Sequence, residues 1–275
     1  MAIPASTVAD TPHLRERTAK IGVIGRASAI FRVDHLLIYR DRKTDQTRDL
    51  KFMELILSYL ATPQYLRRRL FPITPDLRYG GILPPLRTPN HPLEASSRKL
   101  RAGEIRDGVI IKSSGNRSLV DIGVERPALL ASSHHVSGRI SVRVKSISRD
   151  LTVETVRRRD IPFYWGFQVE ATTRTLDEAA GSNNFDLKVA TSRFGNSISE
   201  ETEKLTRRWS EAKGILVAFG SPNEGVREIL SRRGCNVEDF FDFVVNTMRD
   251  QGTETVRVEE AVISSLSAFN LLTEN

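Results

Sequence analysis

The chain has 275 residues and a formal charge of +7, with 39% hydrophobic and 27% charged side chains. That composition supplies a buried core and sits near the globular average of about 25% charged residues, which excludes a disordered chain. No apolar run approaches the roughly 18 residues of a membrane span, the first twenty residues lack the apolar stretch of a secretory signal, and a single cysteine, Cys235, excludes an intramolecular disulfide or a cysteine-built zinc site. A cytoplasmic protein is expected. In chain order, residues 1–18 read as a flexible leader. Residues 21–24 and 33–39 read as short strands, the first of them buried. Asp49 caps a helix with Phe52, Leu55, Ile56 and Tyr59 at helical spacing. Pro63 closes that helix or opens another, bearing Tyr65, Leu66 and Leu70. Six prolines between Phe71 and Pro92 make that stretch extended.

From residue 93 the texture changes to short β runs at 108–112, 119–122, 127–130, 140–147 and 151–156, separated by turn formers. Five short strands over 93–165 predict an inserted OB-like β-barrel. Arg143 and Lys145 alternate with Val142 and Val144, so they share a strand face. From residue 166 the pattern is α/β. Strands at 167–170, 187–190, 215–219 and 241–245 alternate with helices near 200–209, 225–233 and 257–271, which implies a mostly parallel sheet. The domain expected is discontinuous, 19–92 with 166–275.

Charge is unevenly placed: residues 1–92 carry +7, 93–165 carry +6 and 166–275 carry −6. Arginine supplies 32 of the 41 positive charges. Guanidinium forks suit phosphates and stack on bases, although a genome rich in arginine codons gives the same count. The placement points to RNA or another polyanion on the first 165 residues. Arg67, Arg68, Arg143, Lys145, Arg157 and Arg158 are the candidate RNA contacts, a solvated surface being the plain alternative for each.

Familiar catalytic motifs are missing. The sequence has no Walker loop, no G-x-G-x-x-G after a strand and no nucleophile elbow. His134 and His135 are adjacent rather than at helical spacing, which argues against a metal site. Instead, three strand ends carry turns rich in Gly, Ser, Thr and Asn, after residues 190, 219 and 245. Ligands of open parallel sheets bind outside the carboxyl ends of strands. Three such turns in succession predict a small-molecule pocket, although each alone is ordinary turn chemistry.

Several segments carry a resemblance. They are GRASAIFRVD at 25–34, TPQYLR at 62–67, GILPPLR at 81–87 and YWG at 164–166. Further on are Thr191-Ser192, Phe219-Gly220 with Gly225, and Asn246-Thr247 through QGT at 251–253 to Arg257 and EEA at 259–261. Together they resemble the SPOUT class of RNA methyltransferases, in the archaeal and eukaryotic subgroup with an inserted OB-like barrel. The resemblance covers about residue 19 to the C-terminus. It implies a deep C-terminal trefoil knot, S-adenosylmethionine as cofactor and a homodimer formed through the knot region, with Val262, Leu266 and Phe269 at the interface. It also implies that Thr191, Ser192, Gly220, Ser221, Gly225, Asn246, Gln251, Gly252 and Val256 form the cofactor site. Arg26 or Arg32 would assist the reaction, each having a phosphate clamp or a surface position as its plain alternative. Glu259 and Glu260 open the last helix, where the helix dipole favours carboxylates.

Methyl transfer to RNA is thus the leading expectation, with RNA running from barrel to pocket mouth and avoiding the acidic helices. An RNA-binding or ribosome-assembly protein with a vestigial pocket is the main rival. A protein-binding adaptor using the barrel is a third.

Overall fold

The computed structural model describes residues 1–132, 138–181 and 185–272. The pair His134-His135 lies outside the described residues. The chain divides into two compact units: 1–58 with 78–84 and 167–275, and 59–77 with 85–166.

The first unit is built on β1, Ala2–Pro4, whose residues are all buried. This corrects the flexible leader expected at 1–18. β1 lies inside a six-stranded sheet, pairing in parallel with β2, His35–Arg40, on one side and β10, Ile215–Ala218, on the other. The full order is β11-β9-β10-β1-β2-β8, all parallel, with β8 at Gln168–Thr175, β9 at Leu187–Ser197 and β11 at Phe243–Asn246.

The strand expected at 21–24 is also corrected, because those residues belong to helix α1, Leu14–Ile30. Ile21, Ile24 and Ala27 are buried while Val23 is exposed, which is helical rather than alternating spacing. Helix α2, Thr47–Ala61, follows β2, and helix α3 spans Gln64–Leu70. A short α4, Leu176–Ala180, escapes the sequence reading. Thr175 precedes it as N-cap, its N–H donating to Glu178 Oε2 at 2.9 Å. Helices α5, Ile198–Glu211, and α6, Val226–Ser231, connect β9 to β10 and β10 to β11, and α7, Val258–Asn270, closes the unit. Val262, Leu266 and Phe269 on α7 are buried within the chain's own core. They are therefore unavailable as the intersubunit contacts expected of them.

The second unit is a closed five-stranded barrel, in the order β3-β4-β5-β7-β6. Its strands are β3 Ile105–Ser114, β4 Arg117–Asp121, β5 Ala128–Leu130, β6 Arg139–Ser146 and β7 Thr152–Thr155. Val120, Val142, Val144 and Val153 fill it, so the alternation read along residues 142–145 holds. Asp107 is buried at 1% exposure, and that charge is satisfied by Arg139 Nη2 at 2.5 Å, Ser141 Oγ at 2.8 Å and Trp165 Nε1 at 3.0 Å. A buried carboxylate persists only when it is paired and hydrogen-bonded in this way.

Candidate active site

A cavity of about 380 Å³ opens at the carboxyl ends of β9, β10 and β11, within the first unit. Its size suits a small organic ligand. Three loops make its walls.

The first loop is a bulge inside β9. Val244 of β11 pairs with Ala190, but the next residue, Val245, pairs with Asn196. Residues 191–195 therefore leave the ladder, and Thr191, Ser192, Arg193 and Phe194 line the cavity. The Thr191 hydroxyl donates to the Ala218 carbonyl at 3.1 Å, tying the bulge to β10. At its far end a Cβ on Gly195 would lie 2.6 Å from the Val244 carbonyl oxygen. Only glycine lets the chain rejoin the sheet there.

The second wall is the turn between β10 and α6. Ser221 N donates to the Glu224 carbonyl at 2.7 Å, and Glu224 N donates to Ser221 Oγ at 2.9 Å. A Cβ on Gly220 would meet Glu224 O at 2.7 Å and Gly225 Cα at 2.8 Å, so the turn closes onto its own backbone. At Gly225 the obstacle is a mobile atom, Glu228 Oε2 at 2.6 Å. Arg232 holds the Glu224 carboxylate at 2.7 Å.

The third wall runs from the end of β11 into α7. The Asn246 amide donates to the Arg193 carbonyl at 3.0 Å and accepts from Met248 N at 2.9 Å. Gln251 Nε2 donates to the carbonyls of Thr253 at 2.9 Å and Glu254 at 3.3 Å. Both side chains thus brace loops rather than stand free. Thr247 and Ser265 hydroxyls meet at 2.7 Å between loop and helix.

Of the nine residues expected at a cofactor site, eight line this cavity: Thr191, Ser192, Gly220, Ser221, Gly225, Asn246, Gln251 and Val256. Gly252 does not. The sequence reading missed Phe194, Met248 and Ser265, along with Glu224, Glu228 and Glu254, three carboxylates of the lining. The carboxylates had a signal, since they fall inside or beside the Gly- and Ser-rich turns.

Neither Arg26 nor Arg32 lines the cavity. Arg26 is half-buried on α1. Arg32 is exposed and left-handed, at φ 56°, just past the α1 terminus, where Val33 N reaches back to the Ser28 carbonyl at 2.9 Å. Arg32 thus sits where such helix ends favour glycine.

The six candidate RNA contacts, all in the second unit, differ sharply in what their side chains already do. Arg67 donates to the carbonyls of Thr62 at 2.9 Å and Leu60 at 3.1 Å and lies over the Tyr59 ring. It caps the end of α2. Arg158 donates to the carbonyls of Trp165 and Gly166. Arg68 is exposed. Arg157 is exposed, beside Asp160 at 2.7 Å. Arg143 and Lys145 share Glu154, at 3.4 and 3.5 Å. Trp165 is buried in the unit's core rather than offered for stacking.

Among the described residues, no cluster of three or more His, Cys, Asp or Glu side chains could hold a metal ion, and no helix is long and apolar enough to cross a membrane.

Comparison with known proteins gives consistent findings. A family model described as "Putative RNA methyltransferase" matches residues 1–269, the N-terminal segment included. An uncharacterized protein of Halobacterium salinarum is 33% identical over 288 residues, which cover 98% of this chain and 97% of the relative. The 28S rRNA (uridine-N(3))-methyltransferase of Mus musculus is 28% identical over 300 residues, covering 98% of this chain and 75% of the relative. Its Drosophila melanogaster counterpart is 27% identical over 302 residues, covering 98% and 61%.

Proposed function

The chain belongs to this RNA methyltransferase family, and on that premise we propose that it methylates ribosomal RNA with S-adenosylmethionine as the methyl donor. The observation that carries the proposal is the cavity where β9, β10 and β11 end together. The residues present fit that cofactor. Phe219, Met248 and Val256 offer apolar contact to a purine ring, and the bulge and glycine turn offer backbone groups to its edge. With Glu224 paired to Arg232, Glu228 and Glu254 against Arg193 leave the charged lining net negative, which suits a cationic sulfonium. When bound, S-adenosylmethionine supplies an activated methyl group, so the chain's task is mainly alignment and exclusion of water.

The names of the mouse and fly relatives support a uridine of large-subunit rRNA as the methylated nucleoside. Loss of the N3 proton to solvent water leaves negative charge on the uracil ring. A guanidinium nearby would stabilise it, and Arg26 and Arg32 are our candidates. Neither lines the cavity of its own chain, which supports a homodimer whose partner supplies that group. Exposed apolar residues on both helices suit it: Ile30 on α1 is 56% exposed and Ile263 on α7 is 42% exposed, while Val262, Leu266 and Phe269 are buried. We assign the chain to the SPOUT class, with the knot at 246–253 and the OB-like barrel as RNA holder. The parallel sheet, the cavity at its strand ends and the barrel support that assignment.

That neither Arg26 nor Arg32 is among the lining residues also favours a second reading, an RNA-binding protein with a vestigial pocket. Calorimetric titration with S-adenosylmethionine, then transfer of labelled methyl to unmodified rRNA with nucleoside mapping, separates the two. Cofactor binding with a methylated uridine is expected. Absence of cofactor binding defeats the enzymatic reading.

A further inference from the structure

Phe194 is 66% exposed at the rim of the cavity. Among the described residues that line the cavity, it is the one exposed large hydrophobic. Its exposure is built rather than incidental. The five-residue bulge in β9 lifts it out of the ladder. Phe194 N donates to Ser192 Oγ at 3.2 Å, which tightens the tip of that bulge. The guanidinium of Arg193 lies over the ring, its Cζ 4.5 Å from the centroid. Arg193 is itself anchored twice: its Nη1 donates to the Glu254 carbonyl at 2.8 Å, and its own carbonyl accepts from Asn246 Nδ2 at 3.0 Å. The ring thus has one face backed by a fixed cation and most of its surface open to solvent.

We propose that Phe194, backed by Arg193, is the stacking platform on which the target nucleobase of the RNA rests at the cavity mouth. This rests on the methyltransferase reading of the same cavity. A base removed from its helix loses stacking on both faces, and an aromatic side chain restores part of it without regard to base identity. The cation behind the ring adds attraction for the neighbouring phosphate and fixes the ring's orientation. A second copy of the chain is the competing occupant. The surroundings disfavour it: Ser192, Arg193, Asn196 and Glu254 are polar, whereas protein interfaces have contiguous apolar centres. Phe194 is in this view a positioning residue for the substrate base.

The test uses the full-length protein and two readouts. A single-stranded oligouridylate carrying 5-iodouridine, irradiated with the protein, is expected to crosslink at Phe194. With unmodified rRNA transcript as substrate, Phe194→Ala is expected to raise KM for RNA roughly 5- to 100-fold, a larger factor than any change in S-adenosylmethionine affinity read by calorimetry. Phe194→Trp should restore KM and Phe194→Leu should not, since leucine is apolar but cannot stack. Full activity of Phe194→Leu overturns the proposal. So does Phe194→Ala converting a dimer to a monomer in sedimentation while RNA KM stays unchanged. Should wild-type protein bind no cofactor, the methyltransferase reading fails separately, and the crosslink alone decides for or against the platform.

Discussion

The Tyr39 hydroxyl donates to the Phe219 carbonyl at 2.6 Å, joining the end of β2 to the residue that begins the glycine turn of the cavity. Tyr39 is fully buried, and burial beside Asp41 pushes its pKa well above the ordinary phenol value. It therefore stays protonated and remains a donor throughout the physiological range. On the other side of the same residue, Phe219 N donates to the Ala2 carbonyl at 3.0 Å. Tyr39→Phe removes one donor and leaves a buried carbonyl short of a partner, at about 1–3 kcal/mol of stability. Urea denaturation should show that loss, and ligand titration should show weaker cofactor binding at temperatures where the variant is still folded.

The two glycines of the turn respond differently to the same substitution. Gly220→Ala drives a methyl group into Glu224 O and Gly225 Cα, atoms that cannot move without opening the turn. Gly225→Ala displaces only the end of the Glu228 side chain, which a rotamer change relieves. We expect Gly220→Ala to lose cofactor affinity by tenfold or more, and Gly225→Ala to lose a few-fold at most. Calorimetric titration of both variants checks this, and equal losses would contradict the backbone argument.

The barrel was legible in the sequence because each strand buries one face. The alternation of Val142, Arg143, Val144 and Lys145 shows directly in the fold. β1 was not legible, since three residues ending in proline carry no period, and its strand character comes from neighbours at Leu37 and Ala218. Residues 21–24 misled because β-branched residues and glycines are weak helix formers, while the packing of α1 decided otherwise. The cavity's three turns were legible as strand ends rich in small polar residues. The bulge that presents Phe194 was not, because it depends on where β9 rejoins β11. Nor could the tasks of Arg67 and Arg158 be read, since both serve backbone carbonyls that only the fold brings within reach.

That division of arginines makes a prediction about RNA binding. Arg67→Ala uncaps α2 and Arg158→Ala strips the donors from two carbonyls, so each should cost about 1–2 kcal/mol of stability. Arg68 is exposed and makes no ion pair with the described residues, so Arg68→Ala should change stability by less than about 0.5 kcal/mol. If Arg68 meets a phosphate, its loss should also flatten the dependence of log affinity on log salt by about 0.7–0.9. Thermal melts and RNA titrations across salt concentrations separate the two groups.

Acid sensitivity should appear in two windows. His91 Nε2 donates to the Ala61 carbonyl at 3.1 Å, and burial pushes its pKa down to about 4. The unfolded chain takes up that proton near pH 6.5 and the folded one does not, so stability falls as pH drops from about 6.5 to 4. Glu125 accepts from Ser97 Oγ and from Ser97 N at 2.8 Å, which holds its carboxyl down at about 2. Its contribution is present above about 4.5 and is lost as pH falls through about 2. Urea midpoints measured from pH 7 to pH 4 should decline, and His91→Gln, which keeps an N–H donor but cannot titrate, should flatten that slope.

Arg32 offers a clean separation of backbone from side chain. Its left-handed φ of 56° costs a residue with a Cβ about 1–2 kcal/mol relative to glycine. Arg32→Gly deletes the guanidinium while relieving that strain, so stability should be unchanged or higher by up to about 1 kcal/mol. Arg32→Ala deletes the guanidinium and keeps the strain. If the guanidinium stabilises charge on the methylated base, both variants should lose methyl transfer by about 100-fold, with Arg32→Gly the more stable of the two. Retention of full activity by Arg32→Gly would reduce Arg32 to a helix end and leave Arg26 as the one remaining candidate. Arg26→Lys against Arg26→Gln, assayed the same way, would then show whether charge at that position matters.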